Sequence, residues 1–132
     1  MHHFKKILLV LIVLSLGIAA KLWIDFKNNP PDRDVKKEAQ IQLQEVSNAL
    51  HSFQADCGRY PTTEEGLGIL VEPAANCKSW GPTPYLKKYP ADPWGNRLFY
   101  QFEKPAHFHL MTLGADGHIG GVGLDMDIAI DE

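Results

Sequence analysis

Cysteine is scarce: Cys57 and Cys77 are the only two in 132 residues. Two cysteines cannot staple a disulfide-dense scaffold, and without Cys-x-x-Cys spacing a zinc site is poorly supported. Lys and Arg are missing altogether after Lys104. From Asp25 onward 10 Lys and Arg stand against 16 Asp and Glu, a balance of about −6. An acidic domain with no basic stripe argues against nucleic acid as a partner. The signatures of catalysis are lacking too. There is no Gly-x-Ser-x-Gly, no His-Glu-x-x-His, no Walker-type phosphate loop and no Cys-His pair poised for nucleophilic attack. No enzyme and no small-molecule substrate is expected. His107 and His109 fall on one face of a strand and His118 lies beyond them, but no fourth metal ligand is suitably spaced. A solvated strand face is the better reading of these histidines.

Only one long hydrophobic run is present, and it comes first. Lys5 and Lys6 precede Ile7 to Ala20, which is relieved only by Ser15 and Gly17. The run is too long and too apolar for an amphipathic helix on a soluble domain. Continued to Ile24, with Lys21 snorkelling and Trp23 in the headgroup belt, it is just long enough to span a bilayer. Ended at Ala20, it reads as a secretory signal, with Gly17-Ile18-Ala19 as a small-x-small cleavage site. Either way Lys5 and Lys6 stay in the cytoplasm and the rest lies outside. Leu22-Trp23-Ile24 extends the apolar face and favours an anchor. The expected division is therefore an anchor or signal over residues 1–29 and a domain over residues 30–132.

Asn28-Asn29-Pro30-Pro31 should interrupt any helix arriving from the membrane. Val35, Ala39, Leu43, Val46, Leu50, Phe53 and Cys57 then recur at steps of three or four. That spacing predicts one helix of about six turns with an apolar stripe, ended by Gly58. Lys36, Lys37, Gln40, Gln44, Asn48 and Gln54 take the other face. Thr62 and Glu65 have capping-box spacing before a short helix through Leu67, Leu70 and Val71. Residues 73–96 are rich in Pro, Gly and Asn and read as ordered loop. Tyr89 to Asn96 should form tight turns packed by Tyr89 and Trp94.

Residues 98–102 and 108–113 read as two strands joined by Glu103-Lys104-Pro105-Ala106, with a short third strand at Ile128-Ala129-Ile130. The expected class is α+β, a small antiparallel sheet curved over the long helix. In an exported domain the two cysteines most simply form a disulfide. Free thiols or half of a metal site are the alternatives.

Leu113 to Asp127 reads Leu-Gly-Ala-Asp-Gly-His-Ile-Gly-Gly-Val-Gly-Leu-Asp-Met-Asp. Its five glycines let the backbone double back. Asp116, Asp125 and Asp127 then crowd three carboxylates with no Lys or Arg after Lys104 to offset them. Carboxylates and free carbonyls are hard oxygen ligands that suit Ca²⁺. The bland alternative is a flexible acidic tail. Gly120 to Asp125 also matches one copy of a Gly-Gly-x-Gly-x-Asp calcium repeat, but that repeat works only in tandem. The loop does not have EF-hand spacing.

Three runs carry a family resemblance. They are Cys57-Gly58-Arg59-Tyr60-Pro61-Thr62-Thr63-Glu64-Glu65-Gly66-Leu67, then Tyr85-Leu86-Lys87-Lys88 with Asp92-Pro93-Trp94-Gly95-Asn96, and last Leu113-Gly114-Ala115-Asp116-Gly117 with Gly120-Gly121 and Asp125-Met126-Asp127-Ile128. In order and spacing the chain resembles the major pseudopilins of type II secretion over roughly residues 33–130. The resemblance implies a pilin-like fold and a single-pass protein of the bacterial inner membrane with its domain in the periplasm, or a secreted one if cleaved. It implies other pseudopilins or secretion-system components as partners. It also implies a Ca²⁺ site made by the side chains of Asp116, Asp125 and Asp127 and backbone oxygens near Leu113 and Val122. The N-terminus departs from the family pattern. No Gly precedes the apolar run, Phe4 follows His3, and no Glu occurs before Glu38. A stand-alone calcium-binding domain reusing the same head is the competing expectation.

Overall fold

The computed structural model describes residues 2–28, 31–73, 76–103 and 106–132. It divides after Asp34 into two units, Met1–Asp34 and Val35–Glu132. The first is occupied by helix α1 (His2–Asn28). Its side chains from Ile12 to Asp25 are exposed, Leu16, Ile18, Leu22 and Trp23 each by more than 60%. Lys27 lies over the Trp23 ring, 5.3 Å from its centroid. Among the described residues no helix is long and apolar enough to cross a membrane. The side chains of residues 7–11, the start of the expected span, lie outside that description, as does the expected break at Asn29 and Pro30.

Helix α2 (Pro31–Cys57) follows. Its stripe behaves as its spacing demands: Ala39, Leu43, Val46, Leu50 and Phe53 are buried. Ser47 and Ala49 are buried as well, so the covered face is wider than the apolar stripe alone. Gly58 ends the helix in the left-handed region, φ +71°, and its N–H donates to the Gln54 carbonyl at 2.8 Å.

The capping box forms. Thr62 N–H donates to Glu65 Oε2 at 2.8 Å, and Glu65 N–H donates to Thr62 Oγ1 at 3.2 Å. The helix after it is a 3-10 turn, Gly66–Leu70. Gly66 has φ +59°, which breaks the right-handed path just past the box. The loop beyond is held by aromatics other than those expected. Trp80 donates from Nε1 to the Ile69 carbonyl at 2.7 Å and meets Tyr85 edge-on, and Tyr85 meets Phe53 edge-on. Tyr89 is 46% exposed with Arg97 over its ring, and Trp94 is half-buried. Tyr85 reaches Phe53 and Asp56 near the end of α2, and Trp80 packs on Tyr85, so this pair covers core area that Tyr89 and Trp94 do not.

Among the described residues the sheet has three antiparallel strands in the order β1 (Phe99–Glu103), β2 (His107–Thr112), β3 (Ile128–Asp131). Each of the first two is one residue out of step with the expected ranges, and the residues Lys104 and Pro105 of the expected turn lie outside the description. Phe108, Leu110 and Thr112 alternate inward while His107 faces out and His109 is only part covered. Tyr100, Phe108 and Leu110 join Leu43, Leu50, Phe53, Leu67 and Leu70 in one core. Tyr100 donates its hydroxyl to the Pro61 carbonyl at 2.8 Å, and burial pushes that phenol well above its ordinary range.

Candidate functional site: the glycine and aspartate loop

The loop leaves β2 at Thr112 and returns to β3 at Ile128. Its path depends on two glycines. A Cβ on Gly114 would lie 2.5 Å from the Asp125 carbonyl carbon, and one on Gly121 would lie 2.6 Å from the Asp125 carbonyl oxygen. Both have positive φ, +68° and +94°. The backbone of Asp125 is therefore wedged between two residues that only glycine can supply. Three backbone bonds close the fold: Ala115 N–H to the Leu124 carbonyl (2.9 Å), Asp125 N–H to the Val122 carbonyl (3.2 Å) and Met126 N–H to the Gly123 carbonyl (3.4 Å).

The three carboxylates have different surroundings. Asp116 is exposed and caps its own turn, accepting the His118 N–H on Oδ1 at 2.9 Å. Asp127 accepts the Gly120 N–H on Oδ2 at 2.9 Å. Its other oxygen, Oδ1, is buried and has no hydrogen-bond partner. A buried carboxylate oxygen without a donor is costly, and a cation would remove that cost. Leu113 is half-buried at the mouth of the loop, and Val122 is 83% exposed. The loop thus sets the Asp125 backbone against Gly114 and Gly121 and the Asp127 carboxylate on the Gly120 N–H, while Asp116 closes the turn at His118. Among the described residues no three His, Cys, Asp or Glu side chains converge as a metal cluster. Any ion here would need backbone oxygens to complete its shell. An orphaned carboxylate oxygen, further acidic side chains, peptide carbonyls with a second lone pair and a glycine cradle together fit a hard cation such as Ca²⁺.

The loop is also braced from outside, a feature the sequence reading missed. Asn96 donates from Nδ2 to the Gly114 carbonyl at 2.9 Å. In sequence, residues 92–96 read only as a tight turn, and nothing local links them to residue 114. The disulfide lies apart from this loop. Cys57 and Cys77 are bridged, with their Cα atoms 5.4 Å apart. The bridge ties the end of α2 to the loop beyond the 3-10 turn. The histidines are not gathered into a site. His109 lies on the exposed face between Asp131 (2.5 Å) and Glu103 (3.4 Å), and the Asp131 hydrogen bond, then that of Glu103, raises its pKa.

A long helix, a disulfide-tied loop and a small antiparallel sheet define a pilin-like α+β protein. The fold is shared by the crystal structure of the major pseudopilin from the type 2 secretion system of enterohaemorrhagic Escherichia coli. The match has a TM-score of 0.63 at 24% identity and covers 80% of this chain and 92% of that one. The model of the family "Type II secretion system (T2SS), protein G" matches residues 29–131, and the chain belongs to that family. Its relatives include the type II secretion system core protein G of Pseudomonas aeruginosa, 38% identical over 95% of this chain and 91% of that protein. The core protein G of Vibrio cholerae is 32% identical over 95% and 88%.

Proposed function

We propose that this chain is a pseudopilin-like subunit of a type II secretion system that acts through contacts with other pseudopilins or secretion-system components and catalyses nothing. Residues 1–29 serve as its inner-membrane anchor, with the domain in the periplasm. The apolar run from Ile7 to Ala20 behind Lys5 and Lys6 supports that orientation. If signal peptidase removes the run, the domain is secreted instead. The C-terminal loop is held shut by one Ca²⁺, taken by the carboxylates of Asp116, Asp125 and Asp127 and by backbone oxygens near Leu113 and Val122. The ion supplies neutralising charge and coordination that fix the loop's shape.

The observation that carries the calcium reading is the buried, unpartnered Oδ1 of Asp127. Family membership favours the secretion role over a stand-alone calcium-binding domain. Complementation tests both parts. In cells lacking the native gene, the intact chain should restore secretion and accumulate to lower levels when calcium is depleted, while Asp127→Ala should fail to restore secretion and stay at a low level whether calcium is present or not. Full secretion by Asp127→Ala would remove the ion from the account. Failure of the intact chain to restore secretion would remove the secretion role.

A further inference from the structure

We propose that Asn96 is a positioning residue for the ion loop: held rigid by Asp92, its amide sets the turn at Gly114 and thereby the loop's affinity for calcium. The inference rests on the calcium reading above. Asp92 is 5% exposed. Backbone N–H groups and a hydroxyl hold its carboxylate. Its Oδ1 accepts the N–H of Trp94 at 3.1 Å and of Asn96 at 2.7 Å. Its backbone closes the same turn, accepting the Gly95 N–H at 3.0 Å and donating to the Asn96 carbonyl at 2.9 Å. Four bonds within five residues leave Asn96 little freedom. The second oxygen of Asp92 accepts the hydroxyl of Thr112, the fully buried last residue of β2. One carboxylate therefore braces both the strand end that launches the loop and the residue that receives it.

Asn96 passes this rigidity on. Its Nδ2 donates to the Gly114 carbonyl, and a Cβ on Gly117 would sit 3.6 Å from the same amide. A single side chain thus spans residues 114 and 117, the two ends of the first turn of the loop. The bond to Asn96 fixes the Gly114 peptide, and with it the turn beside Leu113, whose backbone oxygen is one of the ligands proposed above. Partners that orient ligands in this way typically change metal affinity by about 10- to 100-fold when removed.

Calorimetric titration of the full chain in detergent, stripped with chelator and titrated with CaCl₂, tests the assignment together with melting in chelator. Asn96→Ala should weaken Ca²⁺ binding by about tenfold or more while its melting temperature in chelator stays near that of the unaltered chain. Asn96→Asp should weaken binding as well, because its carboxylate repels the Gly114 carbonyl. Unchanged affinity in Asn96→Ala, or tighter binding in Asn96→Asp from its added charge, would overturn the inference. A large fall in the chelator melting temperature of Asn96→Ala would also overturn it, since the residue would then be merely structural. No heat from the unaltered chain would instead sink the calcium reading itself.

Discussion

Glu65 serves two structures with one carboxylate. It closes the capping box on Thr62 and takes both terminal nitrogens of Arg59, at 2.6 and 2.7 Å. The Arg59 hydrogen bond is the main reason its pKa falls from 4.5 to about 2, and the Thr62 N–H and Asn76 amide add to it. The folded carboxyl is more acidic than the unfolded one. Its stabilisation is therefore complete above about pH 4.5 and is lost as pH falls through about 2. Glu65→Gln keeps the box and removes the ion pair. At pH 7 it should cost roughly 1–2 kcal/mol, after allowance for solvent at a partly exposed pair. Denaturant melts from pH 7 to pH 2 should show this gap closing below pH 4.5; an equal gap at both ends would contradict the ion pair.

At the scale of elements, much was legible because local periodicity and core burial agree. The stripe on α2, the Gly58 stop and the alternation in β2 each follow from residues a few positions apart. What was not legible joins distant residues. Nothing near Asp92 announces Thr112, 20 positions away, and nothing near Trp80 shows that it, rather than Trp94, meets Tyr85. The 3-10 form of Gly66–Leu70 was hidden behind a correct capping box, since the box specifies a start and not a pitch. Two predictions belong here. Gly114→Ala places a methyl against the Asp125 backbone in a left-handed conformation, and should destabilise the domain by roughly 2 kcal/mol or more. An unchanged melting temperature would mean that the loop does not close on Asp125. Reducing Cys57–Cys77 should cost on the order of 3 kcal/mol. For a domain of this size that lowers the melting midpoint by roughly 10 °C or more. A midpoint indifferent to reductant would deny the bridge any part in stability.

For the whole molecule, the core and the loop solve different problems. The core from Leu43 to Leu110 is apolar and self-sufficient in kind. The loop buries little: Ile119, Val122, Leu124 and Met126 are all exposed, by 85%, 83%, 40% and 45%. Hydrophobic burial cannot order a segment that keeps its apolar side chains in water, so its order must come from polar closure. Glycine geometry and the Asn96 brace are two such contributions, and the proposed cation at the Asp127 carboxylate would be a third. The family likeness extends across this loop, because the matched residues run to position 131.

The central claim is that a divalent cation holds this loop, and a thermal melt of the full chain addresses it most directly. The chain is compared in chelator, in 1 mM CaCl₂ and in 1 mM MgCl₂. With calcium at about 100 times its dissociation constant, binding should add about 2.7 kcal/mol. That should raise the midpoint by roughly 10 °C or more. Magnesium, smaller and reluctant to shed water, should do much less. Superimposable melts in all three conditions would contradict the claim.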